Sequence, residues 1–156
     1  DTLSLHDALP ILVFISGALD VARLAQQARK QAPKLPIAAA EWAASEQLVE
    51  LGGEVVEGLL IVQNYDRDDQ SERYRDFADA FYKRFQRQPG YSTVAAYDAT
   101  TVVLTALKNR RRGETLKQAA LRSGPYQGLQ QTIVFDANGD TRRQAFFTMI
   151  QNGQLG

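Results

Sequence analysis

Hydrophobic positions along this chain alternate between two kinds of run. Leu12–Ser16 (LVFIS) is short, continuous and rich in β-branched residues, which predicts a strand buried in a parallel sheet. From Leu19 the spacing lengthens. Val21, Leu24, Ala25 and Ala28 recur at helical intervals while Arg23, Gln27, Lys30 and Gln31 take the wet face, so an amphipathic helix follows. Pro33 and Pro36 bracket its exit, and PIAAA reads as the next strand. Strand, helix, strand is a βαβ unit whose crossover is expected to be right-handed. Ser45 is placed to cap a second helix that packs through Leu48, Val49 and Leu51 and stops at Gly52-Gly53. Leu59–Val62 is the third strand.

Past Asp66–Gln70, a polar connector, the helical period takes over. Ser71 caps a helix with Tyr74, Phe77, Ala78, Phe81 and Phe85 on one stripe, read as core packing, and Gln88-Pro89-Gly90 ends it. A second helix runs from Ser92 to about Leu107, with Val94, Tyr97, Thr101, Leu104 and Leu107 at helical spacing. Asn109–Gly113 (NRRRG) is a solvated basic loop. Thr115 and Gln118 match a capping box for a further helix ending near Arg122. Leu129–Phe135, the turn-rich DANGD and Arg143–Gln151 read as antiparallel strands.

Composition narrows the function. The 156 residues suffice for one ordinary domain, and 18 basic residues cancel 18 acidic ones, which gives no support for a nucleic-acid surface or a polybasic membrane anchor. The chain has no cysteine, hence no disulfide and no thiolate chemistry. No apolar run approaches the roughly 20 residues of a membrane span.

Thr2–Ile11 (TLSLHDALPI) is the translation of a widely used short-read sequencing adapter. Residues 1–11 are therefore expected to be an artefact fused to a truncated reading frame and are set aside. Setting them aside removes the only histidine, His6. Without His or Cys, a Ser-His-Asp triad, a Cys-His pair and most zinc sites cannot be assembled. A carboxylate-only site stays open, but no pair of acids sits in a dedicated context, and enzyme is the weaker hypothesis.

In an open α/β sheet, ligands sit beyond the carboxyl ends of the strands. Ser16-Gly17, Glu41-Trp42 and Asn64-Tyr65 occupy three such ends in succession. A carboxylate beside a large aromatic ring suits a small cationic or amphoteric molecule. Each residue also has a plain structural alternative: Ser16 and Gly17 a tight strand-to-helix turn, Glu41 a surface loop, and Trp42 packing on the surface.

Taken together, IAAAEWAASEQLVELGGEVVEGLLIVQNY, PGYSTVAAYDAT and GPYQGLQQTIVFDANGD resemble the carboxyl-terminal half of the type I periplasmic binding proteins, in the leucine/isoleucine/valine-binding branch that serves ABC importers. The likeness rests on the order of the motifs: a Glu after the second strand, GGE-x-x-EG before the third, AYDA in a helix and FD-x-x-GD near the end. It implies an α/β protein with a partial two-lobe type I fold, parallel sheets flanked by helices, closing on its ligand like a hinged trap. Residues 12–62 would belong to lobe 2, 63–140 to lobe 1, and 141–156 would cross back to lobe 2.

By the same resemblance, Glu41 would pair with the α-ammonium group of an amino-acid ligand, and the residues gripping its carboxylate would lie in an absent upstream portion. Trp42 stands where the branched-chain binders carry a small residue, so it would line the pocket or pack beside it. Tyr65, on the hinge strand, and Tyr91, where relatives place a pocket aromatic, would cover the ligand or pack the hinge. Ser16 and Gly17 would offer a hydroxyl and an amide, whereas Tyr97 and Asp98 are assigned to structure, Asp98 as a hydrogen-bond partner within its own helix. The resemblance implies no catalysis, cofactor or metal. It implies a small-molecule ligand, ABC permease subunits as partners, no nucleic acid, and a periplasmic or cell-surface-anchored location. The rivals are a ligand-sensing receptor domain of the same fold and a small flavodoxin-like enzyme. The latter would need a phosphate-binding glycine loop of which Ser16-Gly17 falls short.

Overall fold

The computed structural model describes residues 10–156, so most of the proposed adapter segment, His6 included, lies outside the described residues. The chain divides into two compact units, one comprising the residues up to Gln63 together with Phe146–Gly156, the other Asn64–Ala145.

The first unit is built on a five-stranded sheet. Strands β1 (Leu12–Phe14), β2 (Ile37–Ala40) and β3 (Leu60–Gln63) lie side by side in chain order and parallel. Strand β6 (Phe146–Gln151) adds antiparallel to β3, and β7 (Gln154–Leu155) folds back on β6. Helix α1 (Ala18–Gln31) buries Ala18, Val21, Ala22 and Ala25, and α2 (Glu46–Gly52) buries Leu48. Their small and branched side chains meet the sheet face that carries Ile37, Ala39, Ile61 and Ile150. The opposite face is also apolar, yet Val13, Val62, Phe147 and Met149 remain exposed on it. Parallel strands such as β1–β3 are normally covered on both faces.

Local chemistry departs from expectation at α2. Ser45 has the extended backbone of an N-cap, but its side chain makes no capping bond. The termination at the paired glycines has two causes. Gly53 takes φ +52°, and a Cβ on Gly52 would collide with the Val56 side chain. Glu41-Trp42, expected as loop, opens a single 3₁₀ turn, Glu41–Ala43.

The second unit packs α3 (Glu72–Phe85), α4 (Tyr91–Asn109) and α5 (Leu116–Ser123) with a two-stranded ribbon, β4 (Tyr126–Gln127) against β5 (Thr132–Ile133). Ser71 caps α3 by accepting from the Tyr74 N–H, and the Thr115/Gln118 capping box forms at α5. The α3 aromatic stripe is core only in its first half. Tyr74 is buried and Phe77 and Ala78 pack on its cluster, while Phe85 is exposed and stacks on Phe81 at 4.6 Å between ring centroids.

On α4 the buried line is Val94, Asp98, Val102 and Ala106, whereas Tyr97, Leu104 and Leu107 are exposed. A polar residue had taken the central place in the buried stripe, which hydrophobic spacing alone does not reveal. The strand expected over Leu129–Phe135 shrinks to Thr132–Ile133, because Gly128–Gln131 is a turn closed by the Gly128 N–H donating to the Gln131 carbonyl. The last long strand likewise begins at Phe146 instead of Arg143.

Candidate functional site

Two of the three strand ends singled out in the sequence belong to the first unit. The register pairs Phe14 of β1 with Ala39 of β2, and Ala40 of β2 with Val62 of β3. Glu41 and Trp42 therefore leave the sheet from a strand flanked on both sides, beside the exit of β1 that carries Ser16 and Gly17. Glu41 is half-buried and Trp42 is 59% exposed.

Gly17 is the N-cap of α1, and the Ser16 hydroxyl donates to the Asp20 carboxylate at 3.1 Å. That bond tightens the strand-to-helix turn, and it engages the one polar side chain the turn offers.

Tyr65 and Tyr91 lie in the second unit, around one apolar cluster with Tyr74, Val94 and Leu129. Tyr65 is 5% exposed, its hydroxyl 2.7 Å from that of Tyr74 and donating to the Pro89 carbonyl at 3.1 Å. Its ring meets Tyr74 edge-on. Burial, reinforced by the bond with Tyr65, pushes the Tyr74 phenol above its usual pKa. Tyr91 is half-buried, the first residue of α4, and packs against the same cluster. Among the described residues a polar groove opens beside this cluster, lined by Tyr65, Arg67, Asp69, Gln70, Tyr74 and Arg75.

Asp98 of the AYDA motif is structural, by a route different from a bond inside its own helix. It accepts from the Leu129 N–H at 2.8 Å and lies 3.4 Å from the Arg143 guanidinium. No cluster of three metal-ligating side chains occurs among the described residues, and no helix there is long and apolar enough to cross a membrane.

A family profile described as "Periplasmic binding protein" matches residues 5–154. The chain belongs to the periplasmic binding protein family. Solved structures share the fold. A leucine-binding protein from Thermotoga maritima is 24% identical with a TM-score of 0.80, over 94% of this chain and 43% of that one. A branched-chain amino acid transporter substrate-binding protein from Streptococcus pneumoniae, solved with isoleucine, is 20% identical with a TM-score of 0.80, over 93% and 42%. An ABC transporter substrate-binding protein from Desulfitobacterium hafniense, solved with leucine, is 21% identical with a TM-score of 0.75, over 93% and 43%. A search of curated proteins found no match. This periplasmic binding protein chain thus spans less than half the length of those structures, and its mixed α/β architecture with a mainly parallel, helix-flanked sheet is theirs.

Proposed function

We propose that the chain is part of the substrate-binding component of an ABC importer, which captures an amino acid or a related small molecule between two lobes. The observation that carries this reading is the place of Glu41. It directly follows β2, a strand with neighbours on both sides, and has Trp42 next to it. A carboxylate there meets an α-ammonium group with a charge-assisted hydrogen bond worth about 1.5–3 kcal/mol net. Trp42 adds a ring face for the ligand side chain or for its cationic end. No covalent step is needed, because ligand contacts made only in the closed form drive closure.

In this reading the first unit belongs to one lobe and the second to the other, and the bare apolar face of the first unit's sheet is where the remainder of its lobe packs. The partners are the permease subunits that read the closed form, and the location is the periplasm or the outer cell surface. Tyr65 acts through packing, since both of its hydroxyl contacts are internal. Tyr91 stands at the rim of the same cluster, where its ring could reach a ligand.

The test is calorimetry on the complete gene product with leucine, isoleucine, valine and a panel of other amino acids, beside Glu41→Gln. Micromolar or tighter binding of one amino acid, weakened roughly 10- to 100-fold by the substitution, is expected. Unchanged affinity removes Glu41 from the site.

A further inference from the structure

Two backbones join the units, leaving the first at Gln63 and returning to it at Phe146. These residues are register partners, the last rung of the ladder between β3 and β6. The ladder ends there, yet the chain on the second-unit side is not loose. The Gln131 side-chain amide takes the place of the next rung. Its Nε2 donates to the carbonyls of Asn64 and Gln144, each at 3.3 Å, and its Oε1 accepts from the Gln144 N–H at 2.8 Å.

Gln130 does the same for the outgoing strand alone. Its Nε2 donates to the Asp66 carbonyl at 2.6 Å and its Oε1 accepts from the Asp66 N–H at 3.1 Å. Both glutamines sit on the turn that Asp98 ties to α4 through the Leu129 N–H.

We propose that Gln130 and Gln131 are positioning residues for closure: they pin both crossing segments to the α4 side of the second unit, so that bending is confined to the Gln63–Asn64 and Ala145–Phe146 junctions. The inference rests on the hinged-capture reading above. Physically, a side-chain amide supplies the donor and acceptor of a peptide group without being covalently part of either strand. It fixes two backbones at one level. A short hinge between a β-ladder rung and an amide rung moves the two units as bodies, and does not unravel the strands that lead into them.

Amide hydrogen exchange on the 156-residue chain tests the clasp directly. Methionine matches glutamine in length and lacks the amide, so Gln130→Met with Gln131→Met removes the bonds and keeps the bulk. The Asp66 and Gln144 amides are expected to exchange about tenfold faster or more, while the amides of Val94 and Val102 in α4 keep their protection. Unchanged protection at Asp66 and Gln144 overturns the proposal. Equal loss along α4 overturns it too, because the glutamines then hold the unit together and not the crossings.

A second readout reports on the hinge. The chain has no cysteine, so spin labels at Gln47→Cys in α2 and Lys117→Cys in α5 report one distance distribution. That distribution should broaden in the double methionine variant, and an equal width contradicts the proposal. Neither measurement uses a ligand. A protein that passes both and binds no amino acid refutes the transport reading and leaves the clasp standing.

Discussion

The buried carboxylate of Asp98 on α4 accepts a hydrogen bond from the backbone N–H of Leu129 at 2.8 Å, 31 residues further along the chain. A helix interior thereby fixes a turn that would otherwise have only Gly128 N–H to Gln131 carbonyl to close it. The turn in turn carries the two glutamines on the crossing segments. Glycine at position 128 is required by the same contact, since a Cβ there would stand 3.0 Å from both Asp98 carboxylate oxygens and would strike the Gln131 carbonyl.

Asp98→Ala should cost roughly 2–4 kcal/mol of unfolding free energy, because it strands a buried N–H and leaves Arg143 without its carboxylate. Asp98→Asn should cost less, as its amide oxygen can still accept from Leu129. Urea unfolding of the 156-residue chain checks both. Equal stability of wild type and Asp98→Ala would show that the tie contributes nothing.

Tyr65→Phe separates packing from ligand contact. It removes the bonds to the Tyr74 hydroxyl and the Pro89 carbonyl while keeping the ring in its cluster. A loss of roughly 1–3 kcal/mol in stability is expected, with little change in ligand affinity in the complete protein. The opposite pattern would assign the hydroxyl to the ligand.

The corner between α4 and α5 should be acid-sensitive. The Arg122 guanidinium, and then the Arg111 N–H, hold the Glu114 carboxyl down from its ordinary 4.5 to about 2. A carboxyl with a depressed folded pKa stabilises above its unfolded value and loses that contribution as pH falls through the folded one. The effect is therefore complete above about pH 4.5 and fades toward pH 2. A carbon-detected NMR titration of Glu114 should show the low midpoint, and Glu114→Gln should abolish this local pH response. A midpoint at the ordinary value would show that the pairing does not hold in solution.

Ligand binding by the 156-residue chain on its own should be weak. It spans 43% of the Thermotoga maritima structure, so under the proposed reading it supplies only part of the cleft and only part of the contacts. Calorimetry with a panel of amino acids is expected to give no submicromolar binding. Submicromolar affinity would place the whole site within these residues.

Much of this architecture was legible in the one-dimensional pattern. Continuous apolar runs separated by a helical period specify β1, α1, β2, α2 and β3, because these strands are apolar on both faces and a helix only along one stripe. Turn and cap chemistry specify α3, α5 and the Asp136–Asp140 turn for local reasons, since the partners lie within a few residues. The order of motifs sufficed to suggest the family.

What spacing could not supply was every feature made by partners far apart in sequence. Asp98 reads as a hydrogen-bond partner within its own helix until Leu129 and Arg143 are brought to it. Tyr65 reads as either a pocket ring or hinge packing until Tyr74 and Pro89 take its hydroxyl. Gln130 and Gln131 lie in a stretch that suggested the family but not this role, because a glutamine amide becomes a structural rung only when two separate backbones are folded within its reach.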